Sequence, residues 1–133
     1  MKNERGFMLL ETLLLSFVLV GFCAVMYSYY VSIRMEKMIM AREVALYLAE
    51  EEMNYLLDKR DLGELFEGQY DYLGEHELKL NLIDYKVSAN VEKIANDENF
   101  FYAKVTVKWE IFQKERELKV ERMIANHELK YFP

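Results

Sequence analysis

Glu11 is the residue whose surroundings most demand chemistry, because it is the one charge inside an apolar run from Phe7 to Ile33. At the centre of a bilayer an acidic side chain costs roughly 2.5 to 3.5 kcal/mol on insertion scales, and less towards the edge. Glu11 either stays wet four residues into the run or meets a cation in a dry environment. A second feature lies just upstream, where the polar leader Met1-Lys2-Asn3-Glu4-Arg5 ends in Gly6 and meets Phe7. The remaining candidates are weaker. His76 and His127 sit beside Glu75, Glu77 and Glu128 with no second histidine or cysteine at ligand spacing, so they are expected on the surface. Glu50-Glu51-Glu52, with Asp58 and Asp61, could face a divalent cation, but consecutive helix positions point in different directions, and a solvated face is expected instead. There is no Gly-rich phosphate loop, nucleophile elbow or paired acid with a reason to be perturbed. The chain is expected not to be an enzyme, with no catalytic residues, cofactor or metal.

The order of leader, Gly6, Phe7 and Glu11, the acid standing five residues beyond the glycine, resembles the type III signal of type IV prepilins and type II secretion pseudopilins. The resemblance implies that a prepilin peptidase cuts between Gly6 and Phe7 and methylates the new amine of Phe7. It also implies that Glu11 meets the amine of a neighbouring subunit during assembly. The physics agrees: a filament of packed apolar helices buries both groups in a dry core, where each neutralises the other. The implied partners are the peptidase, other minor and major pilins or pseudopilins, an inner-membrane assembly platform and membrane lipid. One departure is the proline common midway along pilin stems, which is missing here; Ser28 stands near its place, so a straighter stem is expected.

These residues need an element to carry them, and the 27-residue run is long enough to cross a hydrocarbon core that takes about 20 helical residues. Charged residues are 30% of the chain and fall almost entirely after Ile33, which makes the molecule an apolar stem with a charged head. Lys2 and Arg5 balance Glu4 and Glu11, so the net charge of −6 belongs to the head and argues against nucleic acid as a direct ligand. The expected location is the inner membrane, single-pass, with the N-terminus cytoplasmic and the head outside, and afterwards a filament. Rival accounts of the N-terminus fit less well. A secretory signal cut near Gly21-Phe22-Cys23 would hold Glu11 in its apolar region, and the run continues past it. Lipidation at Cys23 would follow Phe22 where a small residue is needed. Cys23 is the only cysteine, so packing alone must hold the head.

With no proline before Pro133, nothing breaks the helix at the end of the run. Met35, Met38, Ile39, Ala41, Val44, Ala45, Leu48, Ala49, Met53, Leu56 and Leu57 recur at three- and four-residue spacings, which predicts one helix from Phe7 to about Leu57, roughly 75 Å long. The methionines Met35, Met38, Met40 and Met53 are expected as core filler. Lys59-Arg60 and Gly63 mark its end. Residues 58–76 are expected as a loop pinned by Leu62, Leu65, Phe66, Tyr70, Tyr72 and Leu73. From Glu77 the period changes to two. Leu78, Leu80 and Leu82 share one face; so do Tyr85, Val87, Ala89 and Val91; so do Phe101, Ala103, Val105, Val107, Trp109 and Ile111; and Leu118, Val120, Arg122 and Ile124 form a last set. Asn96-Asp97-Glu98-Asn99 and Gln113-Lys114-Glu115-Arg116 are expected as turns.

The expected class is therefore α+β: a long N-terminal helix, transmembrane then amphipathic, packed on an antiparallel meander of three to four strands. Boundaries are 1–6 leader, 7–33 membrane and polymerisation helix, and 34–133 head, divided into helix 34–57, loop 58–76, meander 77–125 and tail 126–133. Its core should join Leu48, Leu56, Val105, Val107 and Trp109. Helix on meander is also the layout of pilins, and Ala45 to Met53, Tyr85-Lys86-Val87-Ser88-Ala89 and Val105-Thr106-Val107-Lys108-Trp109 resemble the small I-type minor pseudopilins and their minor-pilin relatives. That resemblance implies a place at or near a filament tip in type II secretion or a type IV pilus. The alternatives are a DNA-uptake (competence) pseudopilin and, in another class, an uncleaved bitopic protein whose head senses or scaffolds.

Overall fold

The computed structural model describes residues 2–70, 78–95 and 97–126. One helix, α1 (Lys2–Asp61), is followed by β1 (Gly68–Tyr70), β2 (Leu78–Leu80), β3 (Ile83–Ile94), β4 (Asp97–Ile111) and β5 (Lys114–Ala125). The helix thus takes in the leader from Lys2 and runs past Leu57. The chain divides into two compact units, Met1–Ile39 and Met40–Pro133. In the first unit α1 stands alone, and every large apolar side chain from Phe7 to Ile33 is exposed.

In the second unit α1 lays a stripe of Ala41, Ala45, Leu48, Ala49, Met53 and Leu56 against the sheet, and all six are buried. Small alanines let the backbone approach, and Leu48, Met53 and Leu56 supply the bulk, each worth about 1.5 to 3 kcal/mol when fully buried. Of the four methionines expected as filler, only Met53 is buried; Met38 is half-buried, and Met35 and Met40 are exposed, because the stripe begins at Ala41. Gly63 terminates the helix in a Schellman arrangement at φ +71°: its N–H donates to the Arg60 carbonyl at 2.9 Å, and that of Glu64 donates to the Lys59 carbonyl at 2.8 Å.

The sheet is wholly antiparallel, ordered β1-β3-β4-β5, with β2 also pairing β3. It has five strands, not three or four. The extra one, β1, lies within the stretch expected as loop 58–76, where Gly68 to Tyr70 pair with Val91 to Ala89. The same stretch is pinned as expected by Leu65, which is buried, and by Tyr70, whose hydroxyl donates to the Phe66 carbonyl at 2.9 Å. Leu62 and Phe66 are exposed instead, and Tyr72 and Leu73 lie outside the described residues.

The inward rows are as the alternation predicts. Tyr85, Val87, Ala89 and Val91 on β3, and Phe101, Ala103, Val105, Val107 and Trp109 on β4, are buried. Ile124 closes the row on β5, while Leu118 and Val120 on this edge strand are half-buried and Arg122 is exposed. Both expected turns are shorter than the sequence suggests. Strand β4 already includes Asp97 to Asn99, after a register shift at Lys93/Ile94. The β4–β5 connection is Phe112-Gln113, so Lys114 to Arg116 belong to β5. Likewise Leu82 does not continue the face of Leu78: Asn81 and Leu82 form the tip joining β2 and β3. All four tip residues have positive φ, between 51° and 65°. That twist suits a two-residue hairpin, which is how non-glycine residues come to be held there.

Candidate functional site

The sequence-predicted site residues Gly6, Phe7 and Glu11 lie within two turns of one helix, in the unit with no core. A Cβ built on Gly6 meets nothing within 4 Å, so the Gly6-Phe7 peptide is open on the glycine side. Phe7 is 71% exposed, and Glu11 is exposed among Met8, Leu10, Leu14 and Leu15. Two hydroxyls close to Glu11 are satisfied by the helix. Thr12 Oγ1 donates to the Met8 carbonyl, and Ser16 Oγ donates to the Leu13 carbonyl at 2.8 Å. Such back-bonding lets hydroxyls sit in an apolar environment without unpaired donors. The Glu11 carboxylate has no comparable intrahelical donor, since backbone N–H groups beyond the first turn are spent on the helix itself. Phe7 to Ile33 is long and apolar enough to cross a membrane, and none of it is buried within the protein.

The head holds a second carboxylate that sequence reasoning placed wrongly. Glu52, expected with Glu50 and Glu51 on a solvated face, is 0% exposed, whereas Glu50 is exposed and Glu51 half-buried. The reason is helical spacing: residue 52 lies four beyond Leu48 and four before Leu56, in the middle of the buried stripe. The spacing alone could have shown it; the run of three like residues obscured it.

Around Trp109 the core contains polar atoms. Tyr85 and Trp109 are cross-strand partners with ring centroids 6.1 Å apart and planes tilted by 36°. The Tyr85 hydroxyl donates to the Ala41 carbonyl at 3.2 Å, and burial pushes its pKa up. Trp109 Nε1 is buried without a hydrogen-bond partner among the described residues. The opposite face of the sheet is a solvated charge lattice: Lys119 meets Glu117 at 2.8 Å, Lys104 meets Glu121 at 3.6 Å, and Tyr102 holds Glu121 below the usual carboxylate range by hydrogen bonding. Exposed pairs of this kind contribute little to stability, because solvent screens them.

Among the described residues no group of three or more His, Cys, Asp or Glu side chains is arranged to hold a metal ion. His76 and His127, with Glu75, Glu77 and Glu128, lie outside the described residues. Cys23 is exposed on α1. Comparison with known proteins finds no matching family model, no matching curated protein and no matching solved structure.

Proposed function

We propose that the chain is a minor pilin or pseudopilin, a non-enzymatic subunit of a type IV filament machine serving type II secretion or a type IV pilus, at or near the filament tip. A prepilin peptidase removes residues 1–6, Phe7 becomes the methylated N-terminus, and the stem carries the subunit from the inner membrane into the filament. The observation that carries this is the conjunction, within two turns of α1, of an unhindered Gly6-Phe7 junction and a lone carboxylate at Glu11, on a helix segment whose apolar side chains are all exposed. An uncovered apolar helix of this length needs lipid or other helices around it. A carboxylate within it gains most when a neighbouring chain brings a cation. The helix-on-sheet layout of the head is compatible with the same family.

Processing is tested by mass spectrometry of the protein extracted from cells with an active peptidase. The expected N-terminus is methylated Phe7, and Gly6→Val should leave precursor. Because the space around Gly6 is open, that substitution does not threaten the fold. An N-terminus still at Met1 or Lys2 overturns the proposal and favours the uncleaved bitopic reading. Glu11→Ala should then be inserted and cut normally, yet fail to co-purify with sibling subunits, because the amine left behind in a dry core costs about 3 to 5 kcal/mol.

A further inference from the structure

We infer that the head carries a lipid-docking edge, the paired hairpin tips Asn81-Leu82 and Phe112-Gln113, which insert into the boundary between phospholipid headgroups and acyl chains before assembly. This rests on the membrane reading of Phe7 to Ile33. Leu82 is 90% exposed, more than any other large apolar residue among those described, and Phe112 is 38% exposed. Both occupy positive-φ positions, at 65° and 51°, where hairpin tips favour asparagine or glycine. Two bulky apolar side chains are thus kept where the backbone disfavours them and the head's core gives Leu82 no cover.

Their position selects the occupant. Asn81 and Leu80 border a shallow recess together with Met40, where the head's share of α1 begins. Leu82 and Ile83 border another with Phe112 and Gln113, so the two tips are neighbours. Tyr85 is bonded to Ala41, and Leu82 lies three residues farther along the hairpin, about 10 Å. Met40 lies only seven positions after Ile33, about 10 Å of helix and about 25 Å at the utmost extension. The tether of an anchored chain therefore lets the tips reach the interface, where apolar groups bury to depths of about 5 to 10 Å. The charged residues bordering that second recess, Asp84, Lys86, Lys108, Glu110, Glu115, Arg116 and Glu117, carry three positive and four negative charges, so recognition is apolar and does not select anionic headgroups. A contrasting apolar site exists at the other end of the head: Phe66, 67% exposed, borders a recess with Phe101. Phe101 and Trp109 are separated by eight residues of β4, about 26 Å.

The test uses the full chain with Cys23→Ser, in phosphatidylcholine nanodiscs containing spin-labelled lipid, with an environment-sensitive fluorophore on a single introduced cysteine. Label at Leu82→Cys should be quenched by lipid spin-labelled near the headgroup, and label at Phe66→Cys should not. Exchanging part of the lipid for phosphatidylglycerol should change neither. Label at Val18→Cys, quenched by a deep spin label, reports the membrane reading separately: quenching there with none at Leu82 overturns the docking edge alone, and none at either site overturns the membrane reading as well. Equal quenching at Leu82 and Phe66, or shielding of Leu82 only after sibling subunits are added, also overturns it. In a Gln113→Cys labelled chain, Leu82→Gly should abolish quenching while the unfolding temperature holds or rises, which separates lost lipid contact from lost structure.

Discussion

Between Phe7 and Ile33, α1 presents apolar side chains on every side and buries none; between Met40 and Asp61, the same helix confines its buried side chains to one stripe and closes that stripe with its own sheet. The difference is one of pattern more than composition. An all-round apolar surface cannot be covered by one small sheet, and the stem is left uncovered within the protein. A stripe with i, i+3 and i+4 spacing is satisfied by one inward sheet face, and the head is completed from within. Substitutions of the same kind in the two regions should therefore be read out by different assays.

The largest contrast is expected for truncation of bulky side chains. Trp109→Ala should cost the head about 3 to 5 kcal/mol and Leu56→Ala about 2 to 5 kcal/mol, measured by denaturant unfolding of the full chain in detergent. Leu14→Ala, in the stem, should leave that transition in place. A shift with Leu14→Ala comparable to that of Leu56→Ala would break the comparison. Trp109→Phe should cost less than Trp109→Ala, because it keeps most of the ring volume and removes a buried N–H that otherwise forfeits about 1 to 3 kcal/mol.

Two carboxylates, Glu11 in the stem and Glu52 in the head, sharpen the contrast at somewhat smaller amplitude. Glu52→Ala removes a fully buried side chain from the middle of the stripe and should destabilise the head by about 1 to 3 kcal/mol. Glu11→Ala should leave head unfolding unmoved and affect only assembly. If Glu52→Ala proves neutral in the same unfolding assay, the carboxylate contributes nothing that its methylenes and a small cavity do not.

What the sequence made legible follows from which forces are local. Alternation along β3 and β4 placed Tyr85 to Val91 and Phe101 to Trp109 on the inward face, because period-two burial is written residue by residue. Gly63 announced the helix end, because the left-handed C′ position is specific to glycine. Strand β1 was hidden because three residues carry too little periodicity, and its existence depends on pairing with β3, a partner about twenty residues away. The tips at Leu82 and Phe112 were hidden for the opposite reason: their residue types argue against a turn, and only the register of the flanking strands imposes one. In the stem, Gly6, Phe7 and Glu11 were legible because a lone charge and a lone glycine at the edge of an apolar run are visible without any fold.

The tip backbones offer a test of intermediate size. Leu82→Gly should stabilise the head by up to about 1 kcal/mol through relief of the left-handed conformation, less the entropy that glycine adds to the unfolded chain. Gly63→Ala, at φ +71° with open space around it, should destabilise by a similar amount. Opposite signs for these opposite exchanges, a glycine introduced at one left-handed position and removed at the other, would locate the effect in the backbone; equal signs would show that side-chain contacts at the tip dominate.

The smallest effect concerns the charged outer face of the head, which has no counterpart in the stem. Lys119 holds the Glu117 carboxyl below its ordinary value of 4.5 by hydrogen bonding and charge, and Glu117 raises Lys119 above 10.5 by the same contact. A depressed carboxylate contributes stability that is present above its unfolded pKa and is lost as pH falls through the folded one. A raised lysine contributes stability that is present below its unfolded pKa and is lost as pH rises through the folded one. The pair thus stabilises the head across the range between them and releases that contribution at either extreme. Both side chains are solvated, so the amplitude is small and salt should screen it. Lys119→Gln should flatten the fall in unfolding free energy with decreasing pH below about 4.5 at low ionic strength, and added salt should erase the difference between variant and parent. A pH profile unchanged by Lys119→Gln at low salt would mean that the Glu117–Lys119 contact contributes nothing to stability.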